Sequence, residues 1–178
     1  RNPWFEVIDE EGRLLPCRGP RSGGRFLGGD AATVESALEL YRTLYRPSER
    51  HPRPQATVCV WALVAERADE AWHHALSREH WRMGRLRGEL GPLRPPDEIA
   101  ARGFADQDRP ALQQMRRRAF VGDAAQVGAT LRALAAELQL DELVVNSWSY
   151  DPTVRRRSYP LLAEEFGLAL CRFHRERF

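Results

Sequence analysis

The chain has 178 residues and a mass of 20.4 kDa, enough for one domain with a real core. It is 43% hydrophobic and 29% charged, with no apolar run near the ~18 residues of a membrane span, so no transmembrane helix and no membrane partner are expected. The formal net charge of +2 is too small for the concentrated basic surface that phosphate backbones require, which argues against nucleic acid as a partner.

Residues 1–29 read as a poorly placed amino-terminal segment or linker. Trp4–Ile8 has the pattern of a short strand, and the glycine- and arginine-rich stretch after Pro16 reads as loop. The remainder, 30–178, reads as one α/β unit. Asp30 is placed to cap a helix in which Val34, Leu38, Tyr41 and Tyr45 recur at helical spacing, and Pro47 stops it. Thr57–Ala65 is apolar at both alternating sets of positions, the signature of a strand buried on two faces in a parallel sheet. Asp69 to about Met83 reads as helix, with Ala71, Trp72, Ala75, Leu76 and Trp81 available for burial. Six glycines and prolines between Gly84 and Pro96 predict an irregular loop. Shorter helical pieces follow at Asp97–Ala101 and Pro110–Phe120.

Asp123, with Gln126 three residues later, forms a capping-box pair opening a helix whose apolar stripe is Val127, Leu131, Leu134 and Leu138. Leu143–Val145 is a second buried strand, ending at Asn146–Ser147. A last helix opens at Asp151–Pro152, where proline suits the first turn, and ends at Gly167. Strands alternating with helices give an α/β chain with parallel strands.

All 27 basic residues are arginine and only Ile8 and Ile99 are isoleucine, a pattern of AT-poor coding and not of arginine-specific function. The runs Arg116–Arg118 and Arg155–Arg157 read as solvated faces. Cys17, Cys59 and Cys171 are odd in number and far apart, which supports neither a disulfide framework nor a zinc site. His73 and His74 point about 100° apart on a helix, so with His80 they do not converge on a metal. A reduced, cytoplasmic protein is expected. The opening residues lack a secretory apolar stretch, and the chain begins at Arg1 without methionine, so an upstream start is expected.

Two segments carry a specific likeness. One runs Asp141-Glu142-Leu143-Val144-Val145-Asn146-Ser147, then Tyr150-Asp151, Arg155, Arg157-Ser158-Tyr159, Leu161-Leu162-Ala163-Glu164 and Phe166-Gly167-Leu168. The other is Arg87-Gly88 with Gly91-Pro92-Leu93 and Pro95-Pro96. In order and spacing they resemble the last strand, last helix and proline-rich loop of luciferase-like flavin-dependent monooxygenases. Ala37–Arg42, Arg46-Pro47-Ser48 and Val121-Gly122 extend the resemblance over about residues 31–170. It departs from the family at Pro152, where a histidine is usual, and at Pro160, where a glutamate is usual. A proline at the latter place is expected to kink or restart the helix.

The resemblance implies the carboxy-terminal part of a (β/α)8 TIM barrel. It is incomplete here, since such a barrel takes about 250 residues. It also implies a monooxygenase using reduced flavin mononucleotide (FMN) and O2, through a flavin hydroperoxide, to oxygenate an aldehyde-like or other small organic substrate. A separate flavin reductase and a homo-oligomeric complete protein are further expectations. Catalytic side chains are not identified, because the cofactor carries the hard chemistry. Functional groups of a barrel sit at the carboxyl ends of its strands. That rule selects Asn146 and Ser147 as hydrogen-bonding partners of the flavin, Trp148 as a pocket wall, and Tyr150 beside it. The plainer reading of the four is that they cap the strand and start the last helix. The Gly-Ser phosphate-contacting turn of the family is not seen in residues 1–30, so the chain alone is expected to bind FMN poorly. The alternative is a non-catalytic remnant or interaction module that has lost the flavin site.

Overall fold

The computed structural model describes residues 31–89 and 91–168, the side chains of 31–33 excepted. The expectations for residues 1–29, the Asp30 cap, Cys17 and Cys171 lie outside these residues. In chain order the elements are α1 (Ala31–Leu44), β1 (Thr57–Val64), α2 (Ala68–Leu86), α3 (Pro96–Arg102), α4 (Arg109–Arg116), β2 (Phe120–Gly122), α5 (Ala124–Glu137), β3 (Glu142–Asn146) and α6 (Pro152–Glu165). The described residues fall into two compact units, one running up to Val60 with Arg132–Asn146, the other Trp61–Leu131 with the residues from Ser147 onward.

In the first unit α1 buries Val34 and Leu38, the positions its periodicity marked. The Arg42 guanidinium donates to the Leu138 and Gln139 carbonyls at 2.6 and 2.9 Å, satisfying acceptors that the end of α5 leaves open. Strand β3 joins the start of β1 through a small clamp. The Asp141 and Glu142 N–H groups donate to the Ala56 carbonyl at 3.0 and 3.2 Å. The Asp141 carboxylate in turn accepts from the Ala56 N–H at 2.9 Å and pairs with Arg53. These bonds, the Ala56 N–H foremost and Arg53 next, hold the Asp141 carboxyl below its ordinary pKa.

In the second unit the later half of β1 carries the core. Ala62, Leu63 and Val64 are buried, and Trp61, Leu63 and Ala65 pack with Ala71 and Ala75 of α2 and Val121 of β2. Strand β2 pairs parallel to β1, Ala62 opposite Phe120 and Val64 opposite Gly122. The Asp123 carboxylate accepts from the Gln126 N–H at 2.9 Å, so the cap of α5 is formed as the sequence implies. Val127 and Leu131 are buried beneath it. At Gly128 an added Cβ would lie 2.5 Å from the Glu165 side chain, so a small residue is what lets α6 approach.

The sheet is parallel, in the order β2-β1-β3. Ala56 meets Asp141 and, further along both segments, Trp61 meets Trp148, so β1 and β3 run the same way. Strands so placed are the adjacent parallel pair expected at Thr57–Ala65 and Leu143–Val145. These three strands form a small parallel sheet and do not by themselves close a barrel.

Four expectations are corrected. Phe120 does not end a helix; it opens β2, a strand too short for any periodicity to show. Helix α2 does not stop at Met83 but runs through Gly84 to Leu86. Gly84 is buried there, and an added Cβ would sit 3.2 Å from the Glu89 carbonyl, so the glycine admits the returning chain. Strand β3 is not buried on both faces, since Val144 is 42% exposed, as an edge position allows. Finally, α6 is continuous through Pro160 and does not restart.

Candidate functional site

The carboxyl end of β3 leads into a connection in which every residue from Ser147 to Asp151 is tied down or packed, Tyr150 excepted. The Ser147 N–H donates to the Tyr159 hydroxyl at 3.0 Å, and that hydroxyl donates back to the Ser147 carbonyl at 3.3 Å. The Trp148 carbonyl accepts from the Trp61 indole N–H at 3.2 Å. The Ser149 hydroxyl donates to the Asp151 carbonyl at 2.6 Å, and the Asp151 carboxylate caps α6 by accepting from the Thr153 N–H at 2.7 Å. That bond, first among its causes, lowers the Asp151 pKa. One residue before Tyr159, the fully buried Ser158 accepts from the Val64 N–H at 2.9 Å. Two consecutive residues of α6 thus hold the carboxyl end of β1 and the residue that follows β3.

The four residues singled out from the sequence separate here. Asn146 is half-buried as the last residue of β3. Ser147 is 1% exposed, and its hydroxyl oxygen is buried without a hydrogen-bond partner. An orphaned hydroxyl costs roughly 1–3 kcal/mol, which a ligand atom bonding to it would recover. The Trp148 ring stands edge-on to Trp81 at 5.5 Å and to Trp61 at 6.3 Å between centroids. Tyr150 is 48% exposed and lies outside this packed set.

Sequence reasoning missed the residues around Trp148. The Arg78 guanidinium lies 4.0 Å over the Trp61 ring and 5.5 Å from that of Trp148. Burial first, and then the neighbouring Arg82, push its pKa down to about 9. The signal was present as Arg78, Trp81, Arg82 and Arg85 at helical spacing on α2, but Trp61 was read only as strand core. Below this layer Arg116 makes a two-pronged ion pair at 2.7 Å with Glu79, which is 4% exposed. Arg116 is therefore no mere solvated charge. Arg157, of the second run, pairs with Glu66. His73 lies 2.8 Å from Asp97. Among the described residues no group of three or more His, Cys, Asp or Glu is arranged to hold a metal, and no helix is long and apolar enough to cross a membrane.

No family model matches the chain. A luciferase-like monooxygenase of Escherichia coli (strain K12) is 31% identical over 125 residues, 70% of this chain and 37% of that protein. The uncharacterized protein YvbT of Bacillus subtilis is 29% identical over 133 residues, 75% of this chain and 40% of that one. The crystal structure of apo-MsnO8 superposes with a TM-score of 0.65 at 27% identity, covering 76% of this chain and 42% of that one. The chain thus spans about two fifths of the length of the relatives it matches. In sequence and in fold, this chain is similar to a stretch of luciferase-like monooxygenases.

Proposed function

We propose that the complete protein is an FMN-dependent monooxygenase on a (β/α)8 barrel, acting in the cytoplasm on a small organic substrate with O2. In this reading this chain contributes one wall of the flavin pocket. The observation that carries the reading is Ser147, a buried hydroxyl without a partner immediately after the carboxyl end of β3. That is where a barrel enzyme places its functional groups. The residues fit a flavin in kind: Ser147 offers a hydroxyl that donates or accepts at a ring heteroatom, and Trp148 offers a flat apolar surface beside it.

Bound reduced flavin would supply the electrons that activate O2; the chain's own residues orient and enclose. Ser147 fixes the ligand through its hydroxyl. Trp148, backed by Trp61 and Trp81, keeps water from that side, which strengthens every polar contact inside. Tyr159 and Ser158 hold the frame on which Ser147 is presented. Reduced flavin delivered by a separate reductase and a homo-oligomeric assembly complete the proposal.

The test is FMN titration of the complete polypeptide encoded across Arg1, followed by flavin fluorescence. Ser147→Ala is expected to weaken FMN binding about tenfold, the loss of one buried hydrogen bond, and Trp148→Ala at least as much. Unchanged affinity in both variants would sink the reading. A second reading, a non-catalytic remnant, draws on the two-fifths coverage of the relatives. It requires a genuine translation start near Arg1, which the upstream coding sequence decides.

A further inference from the structure

Arg78, Arg82 and Arg85 recur at i, i+4 and i+7 on α2 and share one face of the helix. Among the described residues none of the three has a carboxylate within ion-pair distance. In the same unit Arg67, Arg87, Arg94, Arg109, Arg116 and Arg157 all do, and Arg102, Arg117, Arg118, Arg155 and Arg156, which do not, are exposed to water, unlike Arg78 and Arg82. The nearest acid in sequence, Glu79, is committed to Arg116.

The Arg78 and Arg82 part of this face is also desolvated. Arg78 stacks over Trp61, Arg85 lies 5.5 Å from the Trp81 ring, and the Arg78 Nε is buried with no acceptor. Cation–π contact stabilises a desolvated guanidinium but leaves its in-plane N–H donors unused. Burial lowers the pKa of Arg82 as it does that of Arg78, so two like charges one turn apart are withdrawn from water without a counter-charge. Half-buried cations without a partner are costly, and fork-shaped donors match an oxyanion.

We propose that this face of α2 is an oxyanion site, with Arg78 and Arg82 gripping a phosphate or carboxylate group of a small-molecule ligand. Arg85 stands at its margin, and Trp81 supplies an apolar surface for the ligand's body. The site does not depend on flavin, and the probe is chosen accordingly. An acidic side chain of the complete polypeptide has the same chemistry, so the experiment separates the two sources.

The 178-residue chain is titrated with inorganic phosphate and with acetate against sodium chloride at matched ionic strength, reading tryptophan emission from the rings Arg78 touches. A saturable change with phosphate or acetate, absent with chloride, is expected. Arg78→Gln raises the apparent Kd about tenfold and Arg82→Gln several-fold, as loss of a charge-assisted bond requires. Arg109→Gln, whose partner is Asp106, leaves it unchanged. A thermal melt of each variant checks that it folds, and the more exposed Arg82→Gln decides the matter should Arg78→Gln fail. An emission change shared by chloride, or one that survives in Arg82→Gln and every folded Arg78 variant, overturns the site. Binding that persists in the complete protein supports a small-molecule ligand; binding seen in the chain and lost there assigns the face to an internal carboxylate and overturns the proposal. FMN affinity is read separately, so either proposal can fail alone.

Discussion

Ser158 and Tyr159 are neighbours in sequence yet serve different strands, because adjacent positions on a helix point about 100° apart. Their hydroxyls are not equivalent. Ser158→Ala leaves the buried Val64 N–H without its acceptor, so a loss of roughly 1–3 kcal/mol is expected. Tyr159→Phe removes bonds at a part-buried site that water can partly replace, and about 0.5–1.5 kcal/mol is expected. Urea unfolding of both variants checks the order; a larger loss for Tyr159→Phe would contradict it. Asp141 gives a pH signature. Its folded-state pKa is depressed, so its contribution is present above the unfolded value near 4 and is lost as pH falls through the lower folded value. The gap in thermal midpoint between the parent chain and Asp141→Asn should therefore be full at neutral pH and shrink as pH falls below the unfolded value. A gap that persists in acid would mean the clamp acts through something other than the charge.

Elements were legible wherever an unbroken pattern ran longer than a turn. The two-faced apolar run at β1, the Asp123 cap of α5 and the Asp151-Pro152 opening of α6 are short-range chemistry written in adjacent residues. Strand β2 was not legible, because three residues carry no periodicity and its place is set by pairing with Ala62–Val64. The end of α2 was misjudged for a different reason. Glycine costs about 1 kcal/mol in a helix interior, but at Gly84 the close passage of the Glu89 carbonyl leaves little room for a Cβ. Pro160 is the converse, a residue the helix tolerates at a cost. It cannot donate to the carbonyl of Arg156, so Pro160→Ala restores a helical bond and should stabilise the chain by about 1–3 kcal/mol. A calorimetric melt that moves downward would show that the ring itself packs productively.

At the scale of the whole molecule the sheet has an open side among the described residues. Among the described residues β3 is flanked only by β1, and its outer positions include the exposed Val144. Strand edges of this kind recruit other strands. The 178-residue chain is expected to associate as concentration rises, and Val144→Lys to reduce that association, both followed by light scattering. A concentration-independent monomer would show that the chain covers its own edge. Of the candidate site, Ser147 and Trp148 were legible because a strand's carboxyl end is a position any α/β sequence announces. Arg78 was not, since an arginine on a helix is usually solvated and only the fold brings Trp61 beneath it. The pinned connection from Ser147 to Asp151 has one more consequence. A segment whose backbone is already tied down has little freedom left to surrender when something settles against it. Recognition at this corner should be fast to register and sparing in entropy, closer to a key meeting a cut lock than to a hand closing on an object.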